Sequence, residues 1–153
     1  MDDVAETPRW TIQVDPLTTA LGFVHVQTER ALSPSFSVYL GPHLRLFDGL
    51  GGTGQPYRGV GIEVGARWFP WKKAPEGAWL LVRGVAADVY TIDGTHQQAL
   101  GGYGSVLGGY TGILGEHLVL AGGLGVQRLQ YAVGDYGIVG FAPAAHTAIG
   151  VAF

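Results

Sequence analysis

The sequence predicts an all-β fold: a closed, antiparallel, up-and-down transmembrane β-barrel of about eight strands. Three observations carry that expectation. Hydrophobicity alternates with period two through several segments. Gly makes up 26 of the 153 residues, about 17% against a usual share of roughly 7%, and each Gly inside a helix would cost about 1 kcal/mol. No apolar run reaches the ~18 residues of a membrane helix, although 47% of the residues are hydrophobic and only 14% charged. A membrane chain without such runs has to close into a barrel, because lipid offers no partner to a free backbone group.

The length suits one barrel domain, residues 9–153, behind an N-terminal extension of residues 1–8. With a net charge of −3 and Lys72 and Lys73 as the only basic pair, nucleic acid is not an expected partner. Cys is absent, so neither a disulfide framework nor a thiolate metal site is available. Asp2, Asp3 and Glu6 follow Met1, the opposite of the basic start of a signal peptide. Export therefore implies a signal that has been removed.

The clearest alternation runs from Phe36 to Phe47. Phe36, Val38, Leu40, Pro42, Leu44 and Leu46 share one side; Ser37, Tyr39, Gly41, His43 and Arg45 share the other. The next strand sets Val60, Ile62, Val64, Ala66 and Trp68 against Glu63, Arg67 and three Gly. Leu118, Leu120, Leu124 and Val126 oppose Val119, Ala121 and Gln127, and Ile149 and Val151 oppose His146 and Ala148. Eight strands follow, at about 9–17, 22–30, 35–47, 57–69, 78–91, 99–113, 117–131 and 143–153. Residues 10–29 alternate without a break, but one strand of 20 residues would span about 66 Å. A turn near residues 18–21 is therefore expected. In residues 78–113 the alternation is less regular, with Arg83 and Asp88 on opposite parities, so a bulge or a shifted register is open there.

The connections at 30–35, 70–77 and 114–116 are short, whereas those at 48–56, 92–98 and 132–142 are Gly-rich and mostly longer. Short turns on one side and longer loops on the other is the pattern of outer-membrane barrels, with the short turns periplasmic. All four Trp then fall at the periplasmic rim. Trp10, Trp68, Trp71 and Trp79, with Phe153, are the expected aromatic girdle, and Tyr57, Tyr90 and Tyr131 lie near the other rim. Rings with a polar handle suit a headgroup layer, although aromatics also favour strand ends in β proteins at large.

The last eight residues, 146–153, resemble the C-terminal targeting signal of bacterial outer-membrane proteins. His146, Val151 and Phe153 match its polar, hydrophobic and terminal aromatic positions, and Ala148 stands where Gly is usual. Asp15, Pro16 and Leu17 through Glu29, Arg30, Ala31 and Leu32 look like the opening of small, largely uncharacterised barrel families of the wider OmpA, OmpX and OmpW kind. The resemblance implies a location in the bacterial outer membrane, insertion by the outer-membrane assembly machinery through the C-terminal strand, and a lipid bilayer as partner. It carries over no catalytic residue.

On this reading Val38, Leu40, Val60, Ile62, Val64, Leu118, Leu120, Ile149 and Val151 face outward. The lumen collects His43, Arg45, Glu63, Arg67 and Gln127, with His25, Gln27 and Glu29. An eight-stranded barrel is just wide enough for side chains to fill, and buried charges need partners. The expected role is therefore a structural or interaction barrel plugged by a polar network, in which Glu63 and Arg67 belong to one interior network with Arg45 or His43. A narrow pore or proton path, a small-ligand cavity, and a soluble barrel of lipocalin or avidin kind holding a small apolar ligand stay open. An enzyme is not expected. His96 with Asp93, His146 and Ser105 carry no recognisable hydrolase context, and the five scattered His show no metal-binding spacing. No cofactor is expected either: residues 49–54 lack the Lys and helix of a phosphate loop, and the Gly clusters at 101–104 and 122–125 lie within strands, where they let strands pack or curve.

Overall fold

The computed structural model of the chain describes residues 8–52 and 54–153; of the expected N-terminal extension, all but Pro8 lies outside them. Eight strands pair in sequence order and close into an antiparallel barrel: β1 (Trp10–Val14), β2 (Phe23–Ser33), β3 (Phe36–Arg45), β4 (Tyr57–Trp68), β5 (Gly77–Thr91), β6 (Gln98–Leu114), β7 (Leu118–Val133) and β8 (Tyr136–Ala152). The alternation read from the sequence becomes alternating burial along each strand. All nine residues expected to face outward are exposed, and His43, Arg45, Glu63 and Arg67 are buried in the lumen.

The first hairpin departs from expectation. β1 has five residues, not nine, and is followed by a helix α1 (Pro16–Ala20). Asp15 starts that helix: its side chain accepts a hydrogen bond from the Thr18 N–H at 3.0 Å, and Pro16 opens the first turn. An Asp cap before a Pro is a strong helix-start signal, and it ends the strand in spite of the continuing alternation. The chain returns through Gly22 at φ +96, where a Cβ would stand 2.4 Å from the Phe47 carbonyl oxygen.

The last hairpin also differs. Residues 132–142 are not a loop: β7 and β8 continue to a tight turn at Gly134 and Asp135. Gly137, Gly140 and Pro143 hide this strand from a composition reading. Proline is tolerated at a strand edge, and this half of β8 has a strand on one side only. β8 pairs with β1 solely from Thr11↔Ala152 to Val14↔Ile149. Towards residue 136 its other edge meets no strand, and α1 occupies part of that gap, with the Leu17 N–H donating to the Thr147 hydroxyl at 3.1 Å.

Between β5 and β6 the register is continuous from Gly77↔Thr111 to Tyr90↔Gln98, with no bulge. Arg83 is simply inward, and Asp88 outward, where it accepts from the Gln98 amide. The two ends of the barrel are unlike. One carries both ends of the ladder, Trp10 and Phe153, and the connections 34–35, 69–76 and 115–117; the other carries α1 and the connections 46–56, 92–97 and 134–135.

Candidate functional site in the lumen

The lumen is filled in layers. At the short-turn end Phe69, Trp79, Leu81 and Leu107 form an apolar floor. At the loop end Tyr57, Val89, Tyr131 and Val133 pack with Phe23 and Tyr103. Between them lies a polar layer built around two carboxylates.

Glu29 accepts from Arg67 at 2.5 Å and from Gln13 at 2.8 Å, and also from Ser37. Arg67 turns a second nitrogen to His146 Nε2 at 2.8 Å, and its guanidinium lies 5.0 Å from the Trp79 ring centroid. Glu63 accepts from the Tyr39 hydroxyl at 2.7 Å and the Gln27 amide at 3.0 Å, and meets His25 Nδ1. From His25 a chain continues: His25 Nε2 lies 2.9 Å from His43 Nδ1, and His43 Nε2 lies 3.1 Å from the Tyr131 hydroxyl. One set of neutral tautomers satisfies every link, with the Tyr131 O–H donating to His43, His43 Nδ1–H to His25, and His25 Nδ1–H to Glu63. This assignment follows from the hydrogen-bond pattern.

Of the expected network, Glu63 and His43 are joined, through His25, whereas Arg67 pairs with Glu29. Arg45 stands apart and binds Asp48 at 2.8 Å. The residue opposite Glu63 on β3 is Gly41. It brings no side chain, and a Cβ there would lie 1.7 Å from the Val26 carbonyl oxygen. Side chains of β2 reach Glu63 over that vacant position.

Gln127 faces inward but stands apart from the two carboxylates, bonding the Pro143 carbonyl at 3.1 Å. Trp79 is not at the rim. It points inward, is buried, and donates from Nε1 to Thr111 at 2.9 Å. The reason is space: at Gly109 and Gly123 a Cβ would come within 2.4 Å of its ring. Tyr57 and Tyr131 are likewise buried inside, while Tyr90 is exposed. Trp10, Trp68, Trp71 and Phe153 stay exposed at the short-turn end.

The sequence reading placed Tyr39 on the inward face with His43 and Arg45, but did not single out His146, Gln13, Arg83 and Tyr103 as lumen residues. His146 was within reach, since it shares parity with Ala148 and Ala152 opposite Ile149 and Val151. Arg83 was harder, because both faces of β5 carry Leu and Val. Ser105 accepts from Arg83 Nε at 3.2 Å and sits beside Gln127 at 3.5 Å, so its partners are an arginine and an amide rather than a histidine base.

His25, His43 and Glu63 each offer a ligand atom within 4.8 Å of the others. The same atoms are accounted for by the tyrosine–histidine–histidine–glutamate chain. A half-open hollow of about 250 Å³ lies beneath α1 off the polar layer and reaches His25, Arg83 and Tyr103. No family model, curated protein or solved structure matches the chain.

Proposed function

We propose that the chain is a small outer-membrane β-barrel of a bacterium, with a structural or interaction role and a lumen sealed by its own side chains. One observation carries the reading: the barrel is apolar outside and charged inside. Outward positions from β1 to β8 carry exposed Ile, Val, Leu, Pro and Phe, while Glu29, Glu63, Arg67 and three His are buried within. Contiguous apolar surface on that scale is rare on a soluble monomer.

The band has edges. On β4 it runs from Val60 to Trp68, with Arg58 beyond it on the same parity; on β5 Asp88, and on β7 Arg128, interrupt it at the loop end. Eight residue steps span about 26 Å at roughly 3.3 Å each, or about 20 Å in height at a tilt of roughly 40°. That is close to the apolar band of roughly 25 Å expected of such barrels. Trp10, Trp68, Trp71 and Phe153 would lie at its periplasmic edge. The C-terminal strand would engage the assembly machinery, and the bilayer would be the principal partner.

The layered lumen favours a plug over a pore. Apolar layers above and below the polar one leave no continuous wetted path through which an ion could keep its hydration. The test is refolding from urea into phosphatidylcholine vesicles. The expected result is a folded barrel that floats with the vesicles and adds no conductance in planar bilayers. A chain that folds and stays monodisperse in plain buffer would overturn the membrane reading. Steady single-channel currents would overturn the plug.

A further inference from the structure

Two imidazole nitrogens face each other in the polar layer of the lumen. His25 Nε2 and His43 Nδ1 lie 2.9 Å apart, and the Tyr103 hydroxyl lies 3.4 Å from the same His25 nitrogen. β2 and β3 set the pair, since His25 and His43 are directly opposed in the ladder and both face inward. With Glu63 they offer three ligand atoms within 4.8 Å of one another, all on buried residues.

What stands behind each histidine distinguishes this cluster from two rings in mere contact. His25 turns its other nitrogen, Nδ1, to the Glu63 carboxylate, and His43 turns Nε2 to the Tyr131 hydroxyl at 3.1 Å. Glu63 is itself held by Tyr39 and Gln27. Metal-ligating histidines are commonly fixed in this way, with the far ring nitrogen on a carboxylate or another polar group that sets tautomer and orientation. The charge of the layer agrees. Among the described residues buried there, Asp15, Glu29 and Glu63 are set against Arg67 and Arg83, while Arg45 has Asp48 as its partner. With neutral histidines the layer carries an excess of negative charge, which favours a cation.

We propose that His25 and His43 bind a divalent transition-metal ion of the zinc class, with Glu63 positioning His25 from behind. The ligand atoms are His25 Nε2 and His43 Nδ1. The Tyr103 oxygen and water from the hollow beneath α1, which reaches both His25 and Tyr103, complete the shell. Imidazole nitrogen suits zinc, whereas magnesium and calcium take oxygen. At a Zn–N distance of about 2.1 Å and a tetrahedral angle, two nitrogens stand about 3.4 Å apart, so the rings part by about half an ångström. In the neutral tautomers His43 donates from Nδ1 to His25. On binding, that proton moves to His43 Nε2 and donates to Tyr131, while His25 keeps its proton on Nδ1 toward Glu63. No proton is gained or lost. The inference goes beyond the outer-membrane reading and does not rest on it, since the same layer would serve a barrel in water.

The test is a Zn²⁺ titration of the full chain, held in phosphatidylcholine nanodiscs or, if the barrel proves soluble, in plain buffer. It is followed by calorimetry and by the nitrogen NMR spectrum of the imidazoles. One ion per chain should bind saturably and raise the thermal unfolding midpoint, as any ligand of the folded state does; Mg²⁺ should do neither. Glu63→Gln should weaken Zn²⁺ by about 10–100-fold, the usual effect of losing the group behind a ligand, and should release His25 from its single tautomer in the spectrum. His25→Gln and His43→Gln should weaken it at least as much. Replacing the exposed His96 and His117 by Gln should leave binding as it is. Absence of saturable Zn²⁺ binding, or Mg²⁺ binding equally well, would overturn the proposal. Loss of binding in the His96 and His117 variant would place the ion on the surface and do the same. If the lumen variants do not fold, the native chain decides: a His43 proton that stays on Nδ1 at saturating Zn²⁺ sinks the site.

Discussion

At Glu29 an arginine, a glutamine and a serine converge on one carboxylate, and all are buried. Such a group is expensive to break from one side. Arg67→Met should cost about 3–5 kcal/mol, because it leaves Glu29 buried and uncompensated. Combining it with Glu29→Gln should return part of that loss. Urea unfolding of the two single variants and the double variant measures the coupling, and strictly additive costs would mean the pair is not a pair. At the surface the loop residue Asp93 accepts from the Thr95 hydroxyl at 2.6 Å and from the Thr95 N–H at 3.0 Å. These bonds favour the charged form and hold its carboxyl below the ordinary 3.8. A folded value below the unfolded one means that the loop contact is intact above the ordinary value and is lost as pH falls through the depressed one. A carbon-detected NMR titration should find Asp93 titrating below 3.8, and Thr95→Val should move it back up.

Two parts of the barrel owe their form to single positions. Trp79 lies flat in the barrel floor because β6 and β7 present Gly109 and Gly123 beneath it. Gly109→Ala places a Cβ 2.3 Å from the Gly122 carbonyl and 2.4 Å from the indole. Overpacking of this kind typically costs about 1–3 kcal/mol, and the loss of midpoint in urea should show it. A midpoint equal to the native one would mean that the floor can shift to make room. The helix α1 depends in turn on Asp15, which caps its first turn and accepts from the Thr147 hydroxyl at 2.6 Å. Asp15→Ala should cost about 1–2 kcal/mol, with amide exchange rising first at Leu17 and Thr18. Unchanged protection of those amides would show that packing alone holds the helix in the wall.

For the molecule as a whole, the proposed bilayer position makes depth measurable. Val64 lies midway between Val60 and Trp68, the edges of the band on β4, while Leu46 follows the end of β3 at the loop end. Val64→Arg should cost about 2–4 kcal/mol in lipid vesicles, and Leu46→Arg clearly less. Equal costs would contradict that depth. The architecture also has a consequence for closure. Four residue pairs join β1 to β8, whereas β7 and β8 share a ladder along their full length. The seam is thus the weakest part of the wall, and it is where the cavity opens.

Parity is a local property of an extended chain: successive side chains take opposite faces whatever the strand pairs with. That is why the all-β class, the eight strands and the outward set from Val38 to Val151 could be read from residues alone. His43, Arg45, Glu63 and Arg67 were placed inside by the same rule. The sequence did not reveal which of them would meet. Partners in a lumen are set by strands facing one another across the barrel, and that depends on closure and stagger rather than on any local period. Glu63 therefore reaches His25 over Gly41, while Arg45 lies four residues along the neighbouring strand opposite Gly59, and Trp79 turns inward because distant glycines leave it room. The cavity at Arg83 belongs to the same class: a cap at Asp15 shortens one strand, and only the closed wall turns that shortening into a pocket.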